Sequence, residues 1–174
     1  MRLSFSAAIV AGLLTSHAAF ANDCARPADK TAFDIVGLKS QLMVTALTCA
    51  ADEKYNSFVV RYRPVLISAN NALNGYFGRV FGRRAQAQYD DYITSLANAQ
   101  SQEGIKHGTL YCSRNIGLFD EVMGLKNPNE LGQFAGSKNP VQPIDVVECA
   151  AAPPPRPIRQ ASAAPATKPT TQQR

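Results

Sequence analysis

The chain has 174 residues, with 18 Lys and Arg, 13 Asp and Glu, and a formal net charge of +5. All 13 acids and 13 of the basic residues lie between Asn22 and Cys149, so this part is formally neutral and does not favour nucleic-acid binding. Its 128 residues suit one domain of ordinary size.

The first 21 residues have the pattern of a secretory signal peptide. Met1 and Arg2 precede an apolar run over residues 7–14, and the small residues Ala19 and Ala21 come just before the expected cleavage point. The run is shorter than the roughly 20 apolar residues that a transmembrane helix needs. We therefore expect a mature chain that starts at Asn22, is periplasmic or secreted, and has no transmembrane segment.

All the cysteines lie in the mature part: Cys24, Cys49, Cys112 and Cys149. An even number in an exported chain predicts disulfides, here two. The spacing contains no C-x-x-C pair, so we expect neither a metal site nor a cofactor. The favoured pairing is Cys24 with Cys112 and Cys49 with Cys149, each bond fastening a terminal segment to a helix. A bond from Cys24 to Cys49 would require the chain to double back along a helix of roughly 27 Å.

The first two predicted helices cover residues 31–51 and 53–81. From Thr31 onward, apolar residues recur at steps of three and four and place Cys49 on the apolar face. The same steps continue from Tyr55 to Val80. Pro64 removes one backbone hydrogen bond from the second helix, which predicts a kink or a fresh helix start.

Two further helices are predicted over residues 84–100 and 102–124, where the same periodicity resumes. Residues 125–149 hold Asn-Pro at 127 and 139, two glycines and Pro143. These breakers predict a wrapped arm with at most one helical turn around residues 130–134. The predicted fold class is all-α, a small disulfide-stapled bundle of about four helices over residues 22–149.

Residues 150–174 form a segment rich in Ala, Pro, Thr and Gln, with one large aliphatic residue and no aromatic. Such a composition predicts a disordered tail. The tail carries four cations and no acid, namely Arg156, Arg159, Lys168 and Arg174. We expect it to attach weakly to anionic envelope polymers, and an inert solubilising linker is the alternative.

The stretch NGYFGRVFGRR, residues 74–84, concentrates aromatics, glycines and arginines. Tyr76 and Phe77 continue the apolar face of the second helix, and Gly82 is predicted to end it. The glycines match neither the dinucleotide-binding nor the P-loop fingerprint. Two candidate sites for an anion or a partner remain on this helix. One is made of Arg79, Arg83 and Arg84, and the other of Arg63, Asn70 and Asn74.

Signals for catalysis are weaker. His107 is the only imidazole of the mature chain, no G-x-S-x-G elbow is present, and the neighbouring Asp90 and Asp91 point about 100° apart on a helix. The sequence therefore favours an exported helical binding or accessory protein of the cell envelope without catalytic activity, with an envelope protein or an anionic polymer as partner. The alternative is a small secreted hydrolase of cell-wall or glycan substrates. It would use Glu103, Asp120 or Glu121, and a pocket that encloses two carboxylates would favour it.

Overall fold

The computed structural model describes residues 24–150, in which six α-helices are joined by short turns. The helices are α1 (Pro27–Cys49), α2 (Asp52–Phe81), α3 (Ala85–His107), α4 (Tyr111–Asn115), α5 (Gly117–Met123) and α6 (Leu131–Lys138). No strand forms in this range, where the β-type pairing is one parallel bridge between Ala25 and Glu148. The predicted all-α fold is confirmed. The predicted signal peptide and the predicted tail beyond Ala150 lie outside the described residues.

Helix α1 is the centre of the fold. It packs against α2, α3 and α6, and 13 of its 23 residues are buried. A helix surrounded in this way is apolar on nearly every side. Among the helices of residues 24–150, α1 alone is long and apolar enough to cross a membrane, and 67% of its most apolar window is buried inside the fold. That burial is typical of a core helix.

The aromatic residues of the stretch at 74–84 belong to the core. Tyr76 and Phe77 are 8% and 3% exposed. The ring of Phe33 on α1 lies 5.1 Å from that of Tyr76 and 5.2 Å from that of Tyr92 on α3, both edge to face. The aromatic cluster therefore joins α1, α2 and α3, as the apolar periodicity of these residues indicates.

Helix α2 runs through Pro64 as one element, in agreement with the single helix predicted over residues 53–81, and of the two effects expected at Pro64 the fresh helix start does not occur. Pro64 lies on the exposed side of α2, where the carbonyl that loses its donor can face water. Buried residues on both sides of it, Tyr62 and Leu66, hold the two halves of the helix against the core.

Glycines end two of the three long helices, α2 and α3. Gly82 and Gly108 have φ of 55° and 51°, in the left-handed region that favours glycine. The N–H of each bonds to a carbonyl four residues earlier, and a 3₁₀ turn follows. The predicted stop at Gly82 is confirmed. The predicted boundary near residue 101 is wrong, because no breaker lies there and α3 continues to His107.

Helix α6 is longer than the single turn predicted around residues 130–134. The side chain of Asn127 caps the Pro128–Glu130 turn by accepting from the N–H of Asn129 at 2.9 Å. Gly132 lets α6 approach α1 closely, since a Cβ there would lie 2.7 Å from Cγ2 of Thr31. Gly132, which was expected to interrupt helical structure, instead lies within α6 and allows it to pack closely against α1.

The predicted disulfide pairing is wrong. The bonds are Cys24–Cys149 and Cys49–Cys112. The two terminal segments bind each other, because the N–H of Ala25 donates to the carbonyl of Val147 at 2.8 Å and that of Cys149 donates to the carbonyl of Ala25 at 2.9 Å.

The second bond joins two helices at the carboxyl end of α1. There, α4 packs across the end of α1, and the hydroxyls of Thr45 and Tyr111 lie 3.1 Å apart. This contact places Cys112 beside Cys49. The expectation that each bond would link an arm to a helix therefore failed for both pairs.

Candidate functional site

Arg79 is engaged in holding the fold. Its guanidinium lies 2.6 Å from the carboxylate of Asp29, donates to the carbonyl of Cys24 at 3.3 Å, and lies over the ring of Tyr76. Asp29 also accepts from the N–H of Arg26 at 2.8 Å, which caps α1. The side chain of Arg79 is 18% exposed. We therefore leave Arg79 out of the candidate binding surface.

Arg83 and Arg84, the other two arginines of that candidate site, lie in the 3₁₀ turn after α2 and are exposed. Neither makes an ion pair with any residue that the structure describes. The turn aims them into solvent rather than along the α2–α3 interface. Both side chains remain available to an anionic partner.

The second candidate site separates into two parts. Asn70 is half-buried, donates to the carbonyl of Leu66 at 3.0 Å, and accepts from the hydroxyl of Tyr89 at 3.2 Å. It therefore joins α2 to α3. Arg63 and Asn74 are exposed on the outer side of α2. The two outer residues remain available, and Asn70 is occupied by the fold.

Positive charge is concentrated in the segment from residue 54 to residue 89, although the domain as a whole is formally neutral. Residues 54–89 contain six Lys and Arg and no acid. Two of these cations pair with acids from other elements, Lys54 with Asp120 and Arg79 with Asp29. Counting charges by segment would have revealed the asymmetry, because the compensating acids lie before residue 54 and after residue 89.

The same outer side of α2 also exposes apolar groups. Val60 and Ile67 are 67% and 54% exposed. Arg63 lies between them, about one helical turn from each, so the three side chains share one side of α2. We define the α2 outer surface as Val60, Arg63, Ile67 and Asn74, followed by Arg83 and Arg84 in the turn. It combines aliphatic groups with unpaired cations and contains no acid.

Each of the three carboxylates of the hydrolase alternative binds a different lysine. Glu103 pairs with Lys106, Asp120 with Lys54, and Glu121 with Lys138. A hydrogen bond from Lys106, together with the charges of Lys106 and His107, lowers the pKa of Glu103. A general acid near neutral pH needs the opposite direction.

One shallow surface pocket of about 230 Å³ is lined by two carboxylates, Glu53 and Asp120. The side chain of Asp120 is 75% exposed and its Oδ1 lies 2.6 Å from Nζ of Lys54. The pocket therefore contains a solvated ion pair, whereas a carboxyl kept protonated for catalysis needs an apolar enclosure. This pocket therefore does not provide the enclosed pair of carboxylates that would favour the hydrolase alternative.

The remaining polar candidates are on the surface. Asp90 and Asp91 are exposed, and Asp90 accepts a hydrogen bond from Gln86 at 2.9 Å. His107 is 3.8 Å from Glu103, and its Nδ1 is 3.3 Å from the guanidinium of Arg114. The contacts of His107 are therefore with a carboxylate and a guanidinium, and they do not include a serine, threonine or cysteine side chain.

Within residues 24–150, no three His, Cys, Asp or Glu side chains are grouped as ligands for a metal ion. No protein-family model, no curated protein and no solved structure matches this chain significantly.

Proposed function

We propose that the protein is an exported binding or accessory protein of the cell envelope that attaches to anionic envelope surfaces and performs no catalysis of its own. The observation that carries this proposal is the α2 outer surface, where Arg63, Arg83 and Arg84 have no acidic partner among the described residues. Phosphate and carboxylate groups on lipids or wall polymers have the charge that would pair with them.

The predicted tail adds to this attraction. It carries four cations and no acid, and it begins next to Cys149. Each Lys or Arg near an anionic membrane surface contributes about 1 kcal/mol. Arg63 and Arg83 lie roughly 30 Å apart along the helix direction, well beyond the screening distance of about 8 Å at physiological salt. They therefore act as separate contacts, and the attachment is weak, reversible and sensitive to salt.

Two features support export to an oxidising compartment. The two disulfides use all four cysteines, and such bonds persist in the periplasm and outside the cell. Residues 1–21 have the pattern of a signal peptide. The envelope is therefore the anionic surface that the mature protein would meet first.

Co-sedimentation of the mature protein with anionic vesicles, neutral vesicles and isolated cell wall tests the proposal. Four forms are compared: the full chain, a chain that ends at Cys149, the triple variant Arg63→Gln, Arg83→Gln, Arg84→Gln, and the combination of both changes. We expect pelleting with the anionic surfaces at about 50 mM salt, a decrease in each altered form, and loss at about 500 mM salt. The vesicle and wall arms distinguish lipid headgroups from wall polymers as the anion source.

A charge-matched control locates the effect. The triple variant Lys106→Gln, Arg114→Gln, Lys126→Gln also removes three positive charges, from exposed positions outside α2 and its following turn. The proposal requires this control to co-sediment with the anionic surfaces to the same extent as the unaltered protein. Equal loss in both triple variants would mean that only net charge matters, and no pelleting of the full chain at low salt would contradict the proposal altogether.

A further inference from the structure

A second site lies between α1 and α3, away from the α2 outer surface. It is a pocket of about 140 Å³, and its apolar lining consists of Val36, Met43, Ile93, Leu96 and Ala97. An engineered protein cavity of about 150 Å³ holds one benzene molecule. The pocket therefore suits a compact apolar group of about six carbons.

The two polar residues of the lining are Lys39 and Ser40. Ser40 is 9% exposed, and its hydroxyl makes no hydrogen bond to any described residue. Some helical hydroxyls of this chain bond to the carbonyl four residues earlier, as Thr45 does at 2.8 Å and Ser101 at 2.9 Å, and that of Ser40 does not. The residue is nearly buried, but its hydroxyl is not among the enclosed polar atoms, so a ligand in the pocket that Ser40 lines can accept a hydrogen bond from it.

Lys39 supplies the only charge of the lining. It is partly buried and forms no ion pair with a described residue. Successive residues of a helix point about 100° apart, but both of these side chains line the pocket, so the ammonium of Lys39 and the hydroxyl of Ser40 can bind the two oxygens of one carboxylate. No acidic side chain lines the pocket to compete for them.

We propose that this pocket binds a small monocarboxylic acid with a compact apolar body of about six carbons. The apolar body lies against Met43 and Ile93, and the carboxylate accepts a hydrogen bond from Ser40 and pairs with Lys39. The same chemistry is presented by a free acid of this size and by the carboxyl end of a longer fatty acid. This inference uses residues that the proposed envelope attachment does not involve.

Methyl NMR of labelled methionines tests the proposal directly. Met43 lines the pocket, whereas Met123 lies at the surface pocket beside Asp120 and serves as an internal control. Hexanoate and benzoate are titrated into the mature protein. We expect a saturable shift of the Met43 methyl signal with little change at Met123.

Variants separate the charged head from the apolar body. Lys39→Gln should weaken hexanoate binding by about three- to tenfold. It should leave the binding of the neutral analogue 1-hexanol unchanged. Lys126→Gln, an exposed lysine without an ion pair among the described residues, is the matched control and should change neither. Ala97→Phe fills the pocket and should abolish the binding of both compounds.

Two results would overturn the inference: no saturable Met43 shift with either acid, or equal hexanoate affinity in the Lys39→Gln and Lys126→Gln variants. The lysine variants keep the test valid if Ala97→Phe does not fold. Dodecanoate distinguishes the two sources of the carboxylate. Tighter binding than hexanoate indicates a fatty acid whose chain extends out of the pocket, and equal or weaker binding indicates a free small acid.

Discussion

Replacing Gly37 in α1 by alanine is expected to destabilise the protein, although alanine is the better helix former. The carboxyl-terminal arm crosses α1 at this residue. A Cβ at position 37 would lie 2.5 Å from Nε2 of Gln142 and 2.9 Å from Cγ of Pro140. Both distances are too short for non-bonded contact, so the arm has to move.

The expected decrease in the free energy of unfolding comes from displacing Gln142 and Pro140. The amide of Gln142 donates to the carbonyl of Phe33 at 3.0 Å and accepts from the hydroxyl of Tyr92 at 2.9 Å. Losing these bonds costs about 0.5–1.5 kcal/mol each, and displacing the buried ring of Pro140 adds about 1–3 kcal/mol. The higher helix propensity of alanine offsets about 1 kcal/mol of this loss. The net loss of unfolding free energy is therefore about 1–5 kcal/mol, centred near 3 kcal/mol.

Urea unfolding followed by far-UV circular dichroism measures this loss. Gly78→Ala is the matched control, because a Cβ at this exposed α2 position meets no atom within 4 Å. The control should stabilise the protein by roughly 0.5–1 kcal/mol. If Gly37→Ala is as stable as the unaltered protein or more stable, the packing of the arm against α1 is not as described and the reasoning is refuted.

Three further predictions concern the ion pair, a buried tyrosine and the disulfides. Arg79→Gln leaves the buried carboxylate of Asp29 without its cation and should cost about 3–5 kcal/mol in the same urea assay, with the double variant Arg79→Gln, Asp29→Asn costing less than the sum of the single changes. Burial, followed by the charges of Tyr89 and Asp34, raises the pKa of Tyr92 above its usual value. The stability that this shift provides is therefore present below about pH 10, the pKa of an unfolded tyrosine, and is lost as the pH rises towards the folded value. Tyr92→Phe should flatten the alkaline decline in stability, and an unchanged decline would contradict the assignment. Non-reducing peptide mapping should yield Cys24–Cys149 and Cys49–Cys112 peptides, and replacing Cys24 and Cys149 together by serine should cost about 2–5 kcal/mol.

The helices could be predicted because their signals are local. Apolar residues at steps of three and four marked α1 to α3, and Gly82 marked the end of α2 because its φ of 55° suits glycine. The predicted boundary at residue 101 failed because the apolar periodicity is interrupted between Leu96 and Ile105, whereas the helix itself continues to His107. The local sequence pattern therefore predicted the presence of the helices more accurately than the residues at which they end.

The path of the arm, and with it the disulfide pairing, could not be predicted. It depends on bonds between residues distant in sequence, such as that from the side chain of Gln100 to the carbonyl of Val141 at 3.0 Å and that from Gln142 to Phe33, 109 residues away. No local pattern encodes these partners. Once the arm returns to the start of α1, Cys149 has Cys24 beside it, and Cys49 is left with Cys112.

The sequence could identify the polar residues of α2 that are candidates for binding, but not which of them remain exposed. Arg63, Arg83 and Arg84 were identified from their positions on one helix, and the structure leaves them exposed. Arg79 and Asn70 come from the same helix but meet Asp29 and Tyr89 from α1 and α3. Which polar residue of a helix is used by the fold depends on its neighbours in space, and these are not visible in its own sequence.

The bond between Cys24 and Cys149 has a mechanical consequence. Tension applied to the chain on either side of the folded body would pass through this covalent bond, and the helices between its ends would carry none of it. In a single-molecule pulling experiment the oxidised protein should therefore show no unfolding of the helical body. Reduction should release the 125-residue separation between the cysteines as a hidden length of roughly 400–450 Å.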